Sequence, residues 1–217
     1  MSEFIHSILH LDQTLALWLQ LYGSGVYLVI FLIIFCETGL IVLPFLPGDS
    51  LLFAAGALSA VSAQDLKIEI LLPLLMAASL LGDTLNYTVG LNFGRKLFES
   101  NHRFSFLFSR KHLISTERFY LEKGKWAVSL ARFFPIIRTF APFVAGLTKM
   151  PFFLFVKMSA MGSMAWVLVF TCAGFFFGQI PFVQKNFTLL VMLIIFISLA
   201  PFLLSLTKRF LGKLFNS

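Results

Sequence analysis

Charge is missing from long stretches of this chain. No acidic or basic residue lies between Asp12 and Glu37, between Lys157 and Lys185, or between Lys185 and Lys208, and each interval can hold a membrane span of roughly 20 residues. Charged residues make up 12% of the sequence and hydrophobic ones 59%, against about 25% charged in ordinary soluble domains. That scarcity excludes a soluble fold. Cysteine is equally sparse: Cys36 and Cys172 both fall inside apolar runs, which argues for free thiols over a disulfide framework or a metal site. The opening MSEFIHSILHLDQ has neither a basic leading segment nor a small-residue cleavage site, so no removed leader is expected.

Acids are the rarer sign, with 10 against 17 Lys and Arg and a net charge of +7. The distribution argues against nucleic acid as a partner. Residues 95 to 125 hold eight Lys or Arg against three acids, and the tail adds Lys208, Arg209 and Lys213. Clusters of this kind mark the cytoplasmic side of membrane proteins. Histidine gives no metal pattern. His6 and His10 are four apart without a strong third ligand, and His102 and His112 belong to the basic stretch. No metal or cofactor is expected.

The pattern predicts an all-α polytopic membrane protein, a single domain over 1–217 in two halves. Residues 1–24 are expected as an interfacial N-terminal helix ending at the Gly23-Ser24-Gly25 turn. The first half, 26–93, is broken by PFLPGDS, where Pro44, Pro47 and Gly48 interrupt a helix. LLFAAGALSA follows and is too short to cross a bilayer, which points to a re-entrant hairpin over 44–60. Gly82, Asn86, Gly90 and Gly94 recur at intervals of four in the next span, leaving one helical face open to close packing. A basic connector over 94–125 suits amphipathic helices at the membrane surface, or a plain solvated link.

The second half, 126–210, repeats the design. A re-entrant segment over 126–148 is broken by Pro135 and Pro142, and its Ala145-Gly146 echoes Ala55-Gly56. Spans over about 152–178 and 187–208 complete a count of about four crossings, with Lys149 and Lys157 at the interface. Both termini then lie in the cytoplasm, the first hairpin opening outward and the second inward. Such inverted repeats, with binding sites where broken helices meet, are a recurring transporter architecture.

Within this apolar frame sit Glu37 and Asp49 in the first half and Arg132 and Arg138 in the second. Each costs about 2.5 to 3.5 kcal/mol at the centre of a membrane helix, so pairing or water must relieve most of it. Guanidiniums hold permanent charge and a planar donor fork that grips phosphate, which assigns Arg132 and Arg138 to an anionic lipid head group. Burial favours a neutral carboxyl and a nearby guanidinium the charged one, so proton coupling at Glu37 and Asp49 stays open. Asp83, in GDTLNYT, suits a hydrogen bond to Asn86 or Tyr87 as well as it suits a proton relay. The plainer reading of the four charges is a pair of salt bridges that clip the hairpins together.

The segments FCETGLIVLPFLPGDSLLFAAGAL, GDTLNYTVGLNFG and ARFFPIIRTFAPFVAGL resemble the DedA family of bacterial inner-membrane proteins over roughly residues 10 to 205. The resemblance implies a lipid carrier for undecaprenyl phosphate or phospholipid, dependent on the proton-motive force and serving envelope integrity. It also implies an essential acidic pair matching Glu37 and Asp49 and essential arginines matching Arg132 and Arg138. Lipid and protons are the partners it implies, with assembly into a homo-oligomer left open. Two other readings stand beside it. A proton-coupled antiporter would use the carboxylates as its cation site, and an envelope-assembly factor would use the charges structurally. An enzyme is not expected, because no histidine or evident nucleophile accompanies the arginines.

Overall fold

The computed structural model describes residues 11–40, 48–62, 65–99 and 124–186, together with 189, 190, 192 and 193. Among them every regular element is helical: α1 (Leu11–Tyr22), a 3-10 turn (Gly23–Gly25), α2 (Val26–Gly39), α3 (Gly48–Val61), α4 (Ile68–Glu99), a second 3-10 turn (Gly124–Trp126), α5 (Ala127–Ala131), α6 (Pro135–Leu147), α7 (Phe152–Phe177) and α8 (Pro181–Lys185). Among the described residues, three apolar stretches are long enough to cross a membrane: Leu17–Gly39, Ile68–Phe93 and Phe152–Phe177. The expected span over 187–208 lies almost wholly outside the described residues, as do Pro44, Pro47, His6 and His10.

Element ends follow local chemistry. Gly23 adopts φ +52°, a conformation glycine takes without steric cost, and turns the chain between α1 and α2. Pro135 opens α6 at a position where its missing N–H costs nothing, and Phe134 before it is extended at φ −117° and ψ 106°, as a residue preceding proline prefers. Pro142 lies inside α6, removing the donor that the Arg138 carbonyl would otherwise accept.

Two boundaries differ from expectation. The N-terminal helix is not a separate surface element, because Leu15 and Leu19 are buried in the main core with α2, α3, α4 and α7. Its apolar residues run on into α2 and together form the first long stretch. The second span continues to Glu99, so 94–99 belongs to a 32-residue helix and not to the connector; at 1.5 Å per residue it is about 48 Å long and outreaches a hydrocarbon core of about 30 Å. The two interrupted segments resolve into short helices, α3 with 14 residues and α6 with 13, about 20 Å each.

These short helices sit inside the protein. Ten residues of α3 are buried, from Gly48 to Ser59, whereas α7 turns Phe153, Val169 and Phe176 outward. The packing exchanges the two halves. Helix α3 lies against α7, and α6 lies against α4. A Cβ on Gly56 would fall on the Thr171 carbonyl, and one on Gly174 on the Phe53 carbonyl; Gly146 and Gly90 are set in the same way against Tyr87 and Phe143. Within each half the preceding arm also packs closely, α2 on Gly82 of α4 and α5 on Gly162 of α7, where Ser129 Cα lies 2.9 Å from a Cβ built there. Small residues let backbones approach this near in lipid, where there is no hydrophobic drive between helices.

Candidate functional site

The exchange of short helices brings the interrupted segments together. Asp49 is the second residue of α3 and Arg138 the fourth of α6, and Arg138 Nη1 donates to Asp49 Oδ1 at 2.8 Å. Both helices therefore direct their N-terminal ends at one point, where aligned peptide dipoles favour negative charge. Glu37, near the end of α2, joins from a third side: Arg138 Nη2 donates to its Oε1. Glu37 is 2% exposed. It presses against the start of α3 so closely that any Cβ on Gly48 would overlap its carboxylate.

Arg132 directly follows α5 and has a different partner. Its Nη2 donates to Asp83 Oδ2 on α4, and its Nη1 to Ser79 Oγ at 2.6 Å. Ser159 on α7 donates to the same Asp83 oxygen. Asp83 is thus a member of the charged site, and its carboxylate bonds neither the Asn86 nor the Tyr87 side chain. Those two serve the frame instead: Asn86 Nδ2 donates to the Thr139 carbonyl at 2.8 Å, and Tyr87 donates to the Met150 carbonyl at 2.6 Å.

One residue touches both sets. Trp166 on α7 donates Nε1–H to Asp49 Oδ1 at 2.8 Å, while the guanidiniums of Arg132 and Arg138 lie 5.6 and 5.4 Å from its ring centroid, within cation–π range. Trp166, Ser79 and Ser159 were not evident as site residues from sequence. Their helices are apolar on nearly every side, so periodicity does not say which side chains face the charges.

Glu37, Thr38, Asp83, Arg132, Arg138, Thr139 and Trp166 line a cavity of about 10 Å³, roughly the space of one water. The charges are paired, and little free space is left between them. Three carboxyls meet two guanidiniums there, an excess of one negative charge when all are ionised. Buried pairs of this kind are costly to desolvate and are weak evidence for a purely stabilising role. Among the described residues no group of His, Cys, Asp and Glu is arranged to hold a metal ion. Cys36 and Cys172 are free and partly buried, and Lys149 and Lys157 are exposed.

Comparison with known proteins adds a second line. A model of the VTT domain matches residues 46–176, a range holding Asp49, Asp83, Arg132, Arg138 and Trp166, with Glu37 just before it. Protein DedA of Escherichia coli is 48% identical over 205 residues, 94% of this chain and 93% of that protein. An uncharacterized membrane protein of Mycobacterium tuberculosis is 41% identical over 193 residues, 88% of this chain and 83% of the relative. The inner membrane protein YghB of Escherichia coli is 34% identical over 192 residues, covering 88% and 84%. No solved structure matches the chain.

Proposed function

The chain belongs to the VTT-domain (DedA) family of membrane proteins, and from that premise we propose that it carries a phosphate-bearing lipid, undecaprenyl phosphate or a phospholipid, across the bacterial inner membrane. The observation that carries this reading is the meeting of two guanidiniums with three carboxylates at the N-terminal ends of two buried helices too short to cross a bilayer. Arg132 and Arg138 supply planar donor forks suited to phosphate oxygens, and the helix ends add backbone N–H groups that favour an anion.

In this reading α3 and α6 are the inner arms of two re-entrant hairpins, one opening to each side of the membrane. The paired arrangement is the resting state, with Glu37, Asp49 and Asp83 standing in for the phosphate. An arriving head group displaces carboxylates from the arginines, and the released acids take up protons. That exchange couples lipid movement to the proton-motive force. Both termini and the basic connector lie in the cytoplasm, and lipid and protons are the partners. Envelope homeostasis is the physiological role this activity serves.

Reconstitution in liposomes tests it. Head-group exposure on each leaflet is followed for undecaprenyl phosphate and for phosphatidylethanolamine, with and without a pH gradient. Arg132→Ala and Arg138→Ala are expected to abolish movement of the preferred lipid; variants that move it at the parent rate would remove the arginines from the mechanism.

The excess carboxylate favours a second reading, proton-coupled antiport of a monovalent cation with the arginines as fixed counter-charges. Cation-induced proton flux in liposomes, independent of any phosphate lipid, separates it from the first.

A further inference from the structure

The geometry points to Trp166 as a positioning residue that holds Arg132 and Arg138 as one phosphate clamp and latches that clamp shut through Asp49. This inference rests on the lipid-phosphate reading and adds to it the part that joins the two charge sets. Arg132 arrives from the turn after α5 and pairs with Asp83, whereas Arg138 arrives from α6 and pairs with Glu37 and Asp49. No bond between side chains of the two sets is needed to hold them together, because one indole does it. Its ring takes both guanidiniums at nearly equal distance. The cation–π attraction survives loss of the carboxylates, so both forks stay at fixed separation when a phosphate replaces the acids.

The indole N–H acts differently. It donates to the same Asp49 oxygen that Arg138 contacts, so it stabilises the closed arrangement and must release when Asp49 leaves. Trp166 itself has little freedom to move. It is 2% exposed, stands edge-on to Phe170 with centroids 6.4 Å apart, and belongs to the core cluster with the α3 side chains Leu52 and Phe53. Ring and N–H are separable by substitution, since phenylalanine keeps a ring face and lacks the donor.

The test uses the full chain in liposomes. Trp166→Leu is expected to raise the KM for phosphate-lipid movement about tenfold, the scale of a lost desolvated cation–π contact, and Trp166→Phe to restore KM to within about threefold of the parent. A role in packing alone predicts instead a fall in folded yield and maximal rate, with KM unchanged in both variants, and that result overturns the inference. A second arm needs no transported lipid. The chain has three tryptophans, so a Trp18→Phe, Trp126→Phe background leaves Trp166 as the sole emitter. In that background Arg138→Lys and Asp49→Asn, compared in folded detergent fractions, are expected to shift its emission maximum and acrylamide quenching. Unchanged emission in both overturns the positioning role. Should the parent protein move no phosphate lipid while the emission shifts appear, the lipid reading fails and the positioning of the charges by Trp166 stands.

Discussion

Arg138 and Asp49 stand 89 residues apart in the chain and are joined by a 2.8 Å hydrogen bond. Each lies in the first turn of a short helix that its own half of the chain does not enclose, so the bond ties the halves at the point where both short helices begin. Arg138 also holds Glu37, so its guanidinium bridges two acids. Its removal leaves the buried Glu37 carboxylate and the partly buried Asp49 carboxylate without the guanidinium they share.

Arg138→Gln is therefore expected to be the most disruptive change at the site. Breaking a buried ion pair from one side costs about 3 to 5 kcal/mol. Thermal unfolding in detergent should show a lower midpoint, and lipid movement in liposomes should fall to background. A variant with parent stability and parent transport would mean the bridge carries neither.

Arg132 and Asp83 form a separate unit, so their variants should compensate. Arg132→Gln and Asp83→Asn are each expected to destabilise, while the double variant recovers much of the loss, because removing both charges leaves none buried alone. A double-mutant cycle on unfolding free energies checks this, with a coupling energy of about 1 to 3 kcal/mol expected for groups in contact. Additive losses would disprove the pairing. Transport should stay impaired in the double variant even where stability returns.

Gly48 separates site geometry from helix stability. Gly48 is the first residue of α3, and alanine is intrinsically the better helix former, yet a Cβ there would overlap the Glu37 carboxylate. Gly48→Ala is expected to leave helix content by circular dichroism unchanged and to reduce transport at least about tenfold. Parent-like transport would show that Glu37 can stand elsewhere without cost.

The exchanged packing predicts matched effects in the two halves. Alanine at Gly56 meets the Thr171 carbonyl as alanine at Gly146 meets that of Tyr87. Each should cost about 1 to 3 kcal/mol, the usual range for overpacking. Alanine at Gly25, where the nearest atom is Tyr22 Cβ at 3.3 Å, should cost clearly less. Unfolding midpoints of the three variants, measured side by side, decide it.

Glu37→Gln removes a titrating group while keeping its shape. If Glu37 carries the coupled proton, the variant's lipid movement is expected to lose its response to an imposed pH gradient, leaving a slow gradient-independent rate. A preserved response would assign the proton to Asp49 or Asp83.

Much of this architecture was legible from residue order. Charge-free runs mark the spans because ionised groups are costly in hydrocarbon, and proline marks the breaks because it removes a backbone donor. The likeness of Ala55-Gly56 to Ala145-Gly146 is repeated in space, where both glycines take a carbonyl from a neighbouring span. The rarity of buried charge also singled out Glu37, Asp49, Arg132 and Arg138. Sequence could not say which acid meets which arginine. A helix such as α7 is apolar nearly all round, so nothing in its periodicity singles out Ser159 or Trp166, and Asp83 had two near neighbours as local hydrogen-bond candidates. Tertiary structure decided those pairings by laying α3 on the span of the second half and α6 on that of the first. That choice depends on backbone contacts at glycines far apart in sequence, and these exist only once the helices have packed.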